Sequence, residues 1–374
     1  MRRTSLLSQD CTLGVRRPAF SSSAALALLA LSACQTPAAK SPSAAVGPAA
    51  AAKGASPSGT VQVLTDDTAA LQRPTTATFR GRDLWISIGQ LSALFSDHGE
   101  PTLPFQALSL SLDGGPLGAQ KIALPGPDYY PEGTAAADDG TLFIGSIMQG
   151  TIVRVPAGST EAIPFLDKAT AHQGVLGMTV DAPRGLLWFC DSNPKREESK
   201  KASDLVGVQL SDAKELVRHA LPKAGEKPPF CNDVIVSPDG AVWFTDTTLG
   251  RVFRVASERA LQGNSAEIWA AGPEVGPPPG GGSGANGLDW LGERLIVANS
   301  GQGTLVEFDP KSTDPNRGAH VIALTDAQTH EPMQLCSPDG VERVPGSQNE
   351  VVVVENGGCA AKKPRVVRIS LQLD

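Results

Sequence analysis

The chain predicts an all-β fold, a six-bladed β-propeller of four-stranded blades. Short apolar strands alternate with Gly and Asp turns, the pattern recurs at a period of roughly 40–55 residues, and about six copies fit the available length. An irregular β-sandwich would show similar hairpins but has no reason to keep that period. The 374 residues carry a net charge of −7, with 39 Gly and 30 Pro. That acidic balance excludes a generic nucleic-acid binder, which needs a basic face. No apolar run reaches the ~18 residues of a membrane-spanning helix.

The chain divides into three parts: 1–33, 34–59 and 60–374. Arg2, Arg3, Arg16 and Arg17 precede a short apolar stretch at 24–31, the order of a secretory signal. The stretch ends in Leu31-Ser32-Ala33-Cys34, which resembles a bacterial lipobox. That resemblance implies cleavage before Cys34 and diacylation of its sulfur; Gln35 in place of Asp implies the outer membrane of a Gram-negative cell. Removing 1–33 deletes four Arg and one Asp and moves the charge from −7 to −10, so the expected membrane contact is the lipid. In 35–59, 20 of 25 residues are Ala, Pro, Ser or Gly, which bury almost nothing and predict a disordered tether.

The blades follow in order. The first is degenerate, with its turn at Gly81-Arg82-Asp83, a second strand at 84–88 and a third at 106–112. The next copies begin at Glu132-Gly133, Leu176-Gly177, Asn232-Asp233, Asn286-Gly287 and Asp339-Gly340. Outer strands are expected at 161–165, 266–270 and 319–324. The last copy runs out of chain, and 61–64 supplies its missing strand, closing the ring and removing an exposed edge.

Aligned on their turns, Glu132, Asn232, Asn286 and Asp339 occupy one slot, six or seven residues before the turn. In a propeller that slot opens on the central channel, so four oxygen-bearing side chains converge from four blades. Two carboxylates alone would repel or raise each other's pKa. Joined by two amide oxygens, they suit a hard divalent cation, calcium above all, with zinc or manganese as alternatives. Singly, Asn-Gly and Asp-Gly are hairpin turns, and Asp139-Gly140 and Asp239-Gly240 read that way.

The run Asn286-Gly287-Leu288-Asp289-Trp290, with Glu132-Gly133, Cys231-Asn232-Asp233 and Pro338-Asp339-Gly340, resembles the senescence-marker-protein/gluconolactonase-like (regucalcin-type) propellers, relatives of paraoxonases and diisopropyl-fluorophosphatases. The resemblance spans about 75–371 and implies a catalytic divalent metal held by Glu132, Asn232, Asn286 and Asp339. It also implies metal-assisted hydrolysis of a lactone or ester, with Asp339 as base or nucleophile and Asn232 on the metal or the substrate oxygen. Sugar-lactonase members carry Arg two residues before the Asn of the third motif; here Phe230 stands there, which points to a less polar substrate. The aromatic that follows the Glu-Gly motif is replaced by Thr134-Ala135-Ala136. Paraoxonase-like relatives use His near their metal, so His172 is a candidate accessory base and His330 is expected on the same rim; as an alternative, both are loop residues.

Export permits disulfides, and the spacing favours Cys190–Cys231 and Cys336–Cys359. The mixed-charge stretch 192–203 and the Pro/Gly-rich stretch 276–284 read as surface loops, the second bordering the channel mouth. The leading expectation is an exported, lipid-anchored, monomeric metal hydrolase acting on a small lactone or ester. The rivals are a non-catalytic binding propeller and a phosphotriesterase-like hydrolase.

Overall fold

The computed structural model describes residues 56–95, 99–168, 172–194, 203–223, 227–314, 316, 318–357 and 363–373. The signal, Cys34 and most of the tether lie outside the described residues, as does Cys359. The rest is a six-bladed propeller. Blades one to five are four-stranded antiparallel sheets whose inner strands are Pro74–Arg80, Pro131–Ala136, Val175–Asp181, Cys231–Val236 and Ala285–Leu291. Blade six begins with Pro338–Arg343, continues through Glu350–Glu355 and Arg365–Gln372, and takes Ser58–Thr65 as its fourth strand. Ser58–Thr65 pairs antiparallel with Arg365–Gln372, so the two ends of the propeller close the ring.

The outer strand expected at 319–324 is divided between two sheets. Ala319–Val321 completes blade five, whereas Ala323–Asp326 runs parallel to Ser58–Thr65 and makes blade six a six-stranded sheet with Pro332–Met333. The break falls at Ile322, a buried side chain whose amide still bonds Leu305 in blade five, while the next amide, of Ala323, bonds Pro57. This strand therefore ties blade five to the closure.

Both faces of a blade are covered by its neighbours, so the second strands are continuous apolar runs rather than alternating ones. Leu142–Ser146 and Val242–Asp246 are buried throughout, and so are all four valines of Glu350–Glu355. The core is accordingly a ring of interblade layers. One joins Leu291, Ile296 and Leu305 of blade five to Val351, Val353 and Ile369 of blade six; another joins Val352 and Val354 to Leu84 and Ile86 of blade one. Asp139-Gly140 and Asp239-Gly240 are tight turns, with each Gly at positive φ (85° and 80°) and each Asp accepting from the amide two residues on.

Candidate metal centre and channel cavity

In every blade the ladder between the first two strands shifts register just inside the start of the inner strand. The shifts lie between Pro74 and Ala77, Pro131 and Thr134, Val175 and Met178, Cys231 and Val234, Ala285 and Leu288, and Pro338 and Val341. A bulge of this kind re-aims a side chain. The residue it frees is Thr75, Glu132, Leu176, Asn232, Asn286 or Asp339, the same slot six times over. Backbone carbonyls left off the ladder need other donors. Hydroxyls of the preceding blade provide them: Thr75 and Thr76 donate to Glu132 O, Ser192 to Cys231 O, and Thr245 to Asn286 O at 2.7 Å.

The residue after the slot is Gly in four blades, and packing rather than turning explains it. A Cβ on Gly133 would lie 2.0 Å from Leu176 O, and one on Gly287 would lie 2.1 Å from Asp339 O. Only glycine lets the next inner strand approach so closely.

A cavity of about 250 Å³ opens at the starts of the inner strands, and Glu132, Asn232, Asn286 and Asp339 all line it. The four are sealed from bulk water at 3%, 7%, 6% and 4% exposure. Burial, reinforced by the negative charges of Asp339 and Asp233, pushes the Glu132 carboxyl well above the usual carboxylate range. Burial also raises Asp339 to about 7, although hydrogen bonds from Asn356 and Asn286 pull in the opposite direction. Glu132 Oε2 and Asn286 Oδ1 are buried without a hydrogen-bond partner. Two carboxylates, two amides and two orphaned buried oxygens fit an oxygen-ligated divalent cation, which would relieve both the missing partners and the uncompensated charge. Among the described residues no three His, Cys, Asp or Glu side chains cluster as metal ligands, so any such site depends on the two amides.

A second ring, invisible to the motif alignment, lies at the residue following each second strand: Gly89, Ile147, Ser192, Thr247, Ser300 and Asn356. Ile147, Thr247, Ser300 and Asn356 line the cavity. Asn356 Nδ2 donates to Asp339 Oδ2 at 2.9 Å, and Ser300 Oγ is buried without a partner. The signal was the shared register, since each of these residues follows the strand partner of the residue before the slot.

That strand partner is Asp191, Asp246, Asn299 or Glu355 in blades three to six, and all four anchor the loop entering the inner strand, Asn299 by donating to Glu274 O and Gly276 O. Asp191 Oδ1 accepts from Gln173 N at 2.7 Å, Asp246 Oδ1 from Phe230 N at 2.9 Å, and Glu355 Oε1 from Cys336 N. His172 belongs to this layer. Its Nδ1 lies 3.0 Å from Asp191 Oδ2, its ring packs edge-on against Phe189, and Arg218 Nη1 donates to the same oxygen at 3.0 Å. Burial pushes Asp191 up, but the bonds from His172, Gln173 and Arg218 outweigh it and leave the carboxyl below its usual range. The structure does not bring His172 to the cavity with the four slot residues; its ring is committed to the anchor. His330, at φ 61° in the turn before Pro332–Met333, is exposed and also does not line the cavity.

Cys190 and Cys231 form a disulfide with Cα atoms 5.2 Å apart, tying the end of a blade-three strand to the residue before Asn232. Cys336 is also disulfide-bonded. On the opposite face of the channel, Asp233, Asp289 and Glu342 each cross to the next blade. Asp233 accepts from Leu288 N at 3.1 Å, Asp289 from Arg343 N, and Glu342 from Thr78 Oγ1 at 3.0 Å. Burial raises them to about 7, 6 and 8.

The N-terminal model of the strictosidine synthase-like family matches residues 117–155. No curated protein matches the chain. Among solved structures, the calcium-binding protein regucalcin from Agrobacterium tumefaciens is similar over 83% of this chain and 94% of its own, at 15% identity and TM-score 0.58. A luciferin-regenerating enzyme matches 83% of this chain and 95% of its own, at 12% identity and TM-score 0.58. A putative gluconolactonase matches 84% and 94%, at 13% identity and TM-score 0.53. By fold, this chain stands with the six-bladed propellers of the regucalcin and gluconolactonase-like type.

Proposed function

We propose that this chain is a divalent-metal-dependent hydrolase of lactones or esters. The observation that carries the reading is that carboxylates and amides occupy the same bulged slot in four blades, with Glu132 Oε2 and Asn286 Oδ1 buried and partnerless among them. Glu132, Asn232, Asn286 and Asp339 would hold the cation, and their donor chemistry favours calcium over zinc or manganese. When bound, the cation supplies Lewis-acid polarisation of the substrate's carbonyl oxygen.

The chain's own residues do the rest. Asp339, with one oxygen fixed by Asn356, takes a proton from a water whose oxygen bonds to the carbonyl carbon. The ester C–O bond then breaks, its electron pair goes to the departing oxygen, and Asp339 returns the proton there. Ester and water become acid and alcohol, joined as one hydroxy acid when the substrate is a lactone. The apolar cavity wall limits competing water. The sequence of 1–59 supports an exported protein anchored through lipid on Cys34, which loss of palmitate labelling in Cys34→Ser would test.

Calorimetric titration with Ca2+, Zn2+ and Mn2+, paired with hydrolysis assays on lactones and aryl esters, tests the reading. Binding and metal-dependent turnover are expected, with Asp339→Ala retaining the fold and losing about 10³-fold or more in kcat. Full activity in Asp339→Ala, or no turnover with any of the three ions, overturns it.

A further inference from the structure

The cavity is two-sided. Leu176 fills the blade-three slot where four other blades carry a carboxylate or an amide, and Ile147 stands in the second ring on blade two. Phe230, 5% exposed, and Leu91 and Phe95 from the short helix Leu91–Phe95 complete an apolar arc along blades one to three and the entry to blade four. The opposite arc, on blades four to six, is polar: Ser283, Ser300, Ser337 and Asn356. Much of that polarity is already committed. Thr247 donates to Ala285 O at 2.7 Å and Asn356 to Asp339, which leaves the buried Ser300 hydroxyl without a partner. Among the described residues no Lys, Arg or His lines the cavity, and the charged side chains that do are Glu132 and Asp339.

We infer that the substrate is a compact lactone or ester with an apolar body, seated with its carbonyl end toward the polar arc and its body against Leu91, Phe95, Ile147, Leu176 and Phe230. This rests on the hydrolytic reading of the cavity. A polyhydroxylated substrate loses water from hydroxyls that the apolar arc cannot repay. An alkyl or aryl body is favoured by the same wall. Hydrolysis consumes one water and releases the hydroxy acid.

The test compares kcat/KM for δ-octanolactone, unsubstituted δ-valerolactone and glucono-δ-lactone, in wild type, Phe95→Ser and Phe230→Arg. Phe95 is 55% exposed at the mouth, so its substitution leaves folding intact even where Phe230→Arg does not. Binding of the alkyl lactam matching δ-octanolactone, which resists hydrolysis, is followed in parallel by calorimetry on metal-free protein. Wild type should prefer the alkyl lactone to the sugar lactone by about 10-fold or more. Phe95→Ser should weaken lactam binding and erode that preference about 10-fold. A wild-type preference for the sugar lactone, or an unchanged preference and lactam affinity in Phe95→Ser, overturns the inference. Lactam binding that depends on Phe95, without turnover of any lactone, overturns the hydrolytic reading while keeping the apolar occupant.

Discussion

Asn356 and Asp339, 17 residues apart, meet at the channel: Asn356 Nδ2 donates to Asp339 Oδ2 at 2.9 Å. With the hydrogen bond from Asn286, it holds the carboxylate in place at the cavity. Asn356 is thus a positioning residue for the proposed base, acting through Asp339.

Asn356→Ala should lower kcat by about 10–100-fold with KM nearly unchanged, because an outer partner orients a group rather than binding substrate. Asn356→Gln should not restore activity, since the longer side chain misplaces the donor, and steady-state kinetics on both variants checks this. A KM effect without a kcat effect would assign Asn356 to substrate binding instead.

Glu132→Gln should weaken divalent-cation binding about 10-fold or more by calorimetry. In chelator-treated buffer the same variant should be at least as stable as wild type, because it removes a buried carboxyl whose charge has no partner. Opposite signs for affinity and stability are the signature of a ligand held at a cost to the fold.

Stability without metal should fall as pH rises, and Glu342 gives the window. Its folded-state pKa is raised to about 8, chiefly by burial and then by the Asp289 charge. The unfolded carboxyl ionises near 4.5, so the folded state holds the proton more tightly. The stability this contributes is complete below about pH 4.5 and lost as pH climbs to about 8. Glu342→Gln keeps an acceptor for Thr78 without the charge. It should therefore raise Tm by about 3–5 °C at pH 8.5 and hardly change it at pH 5, as read by scanning calorimetry in chelator.

The Cys190–Cys231 bridge spans 41 residues of sequence, and a chain-entropy account assigns it about 4 kcal/mol. Replacing both cysteines with Ala should lower unfolding stability by about 2–4 kcal/mol in denaturant titrations. Divalent affinity should fall as well, because Cys231 adjoins Asn232 and the bridge secures that end of the strand.

The blade count, the closing strand at 61–64 and the slot residues were legible because all three rest on repetition and chain order. Asn286 and Asp339 stood out because the Gly after each is required by the approach of the next strand, a constraint that leaves a mark in sequence. Asn356 and Ser300 were not legible. Their register exists only once strands are paired, and a polar residue at a strand end has many ordinary uses. His172 looked like a rim base because sequence places it before an inner strand, but its ring is occupied by Asp191, a partner 19 residues away. The split of 319–326 between two sheets was equally hidden, since it depends on where a strand from the far end of the propeller docks.

The bulge that recurs at every slot separates what the ring is from what it holds. Leu176 occupies a position equivalent to the four oxygen donors and lines the same cavity, so a carboxylate or imidazole grafted there would point inward with the β-ladder left as it is. New chemistries on this scaffold are then a matter of swapping the occupant of a socket, with the frame untouched.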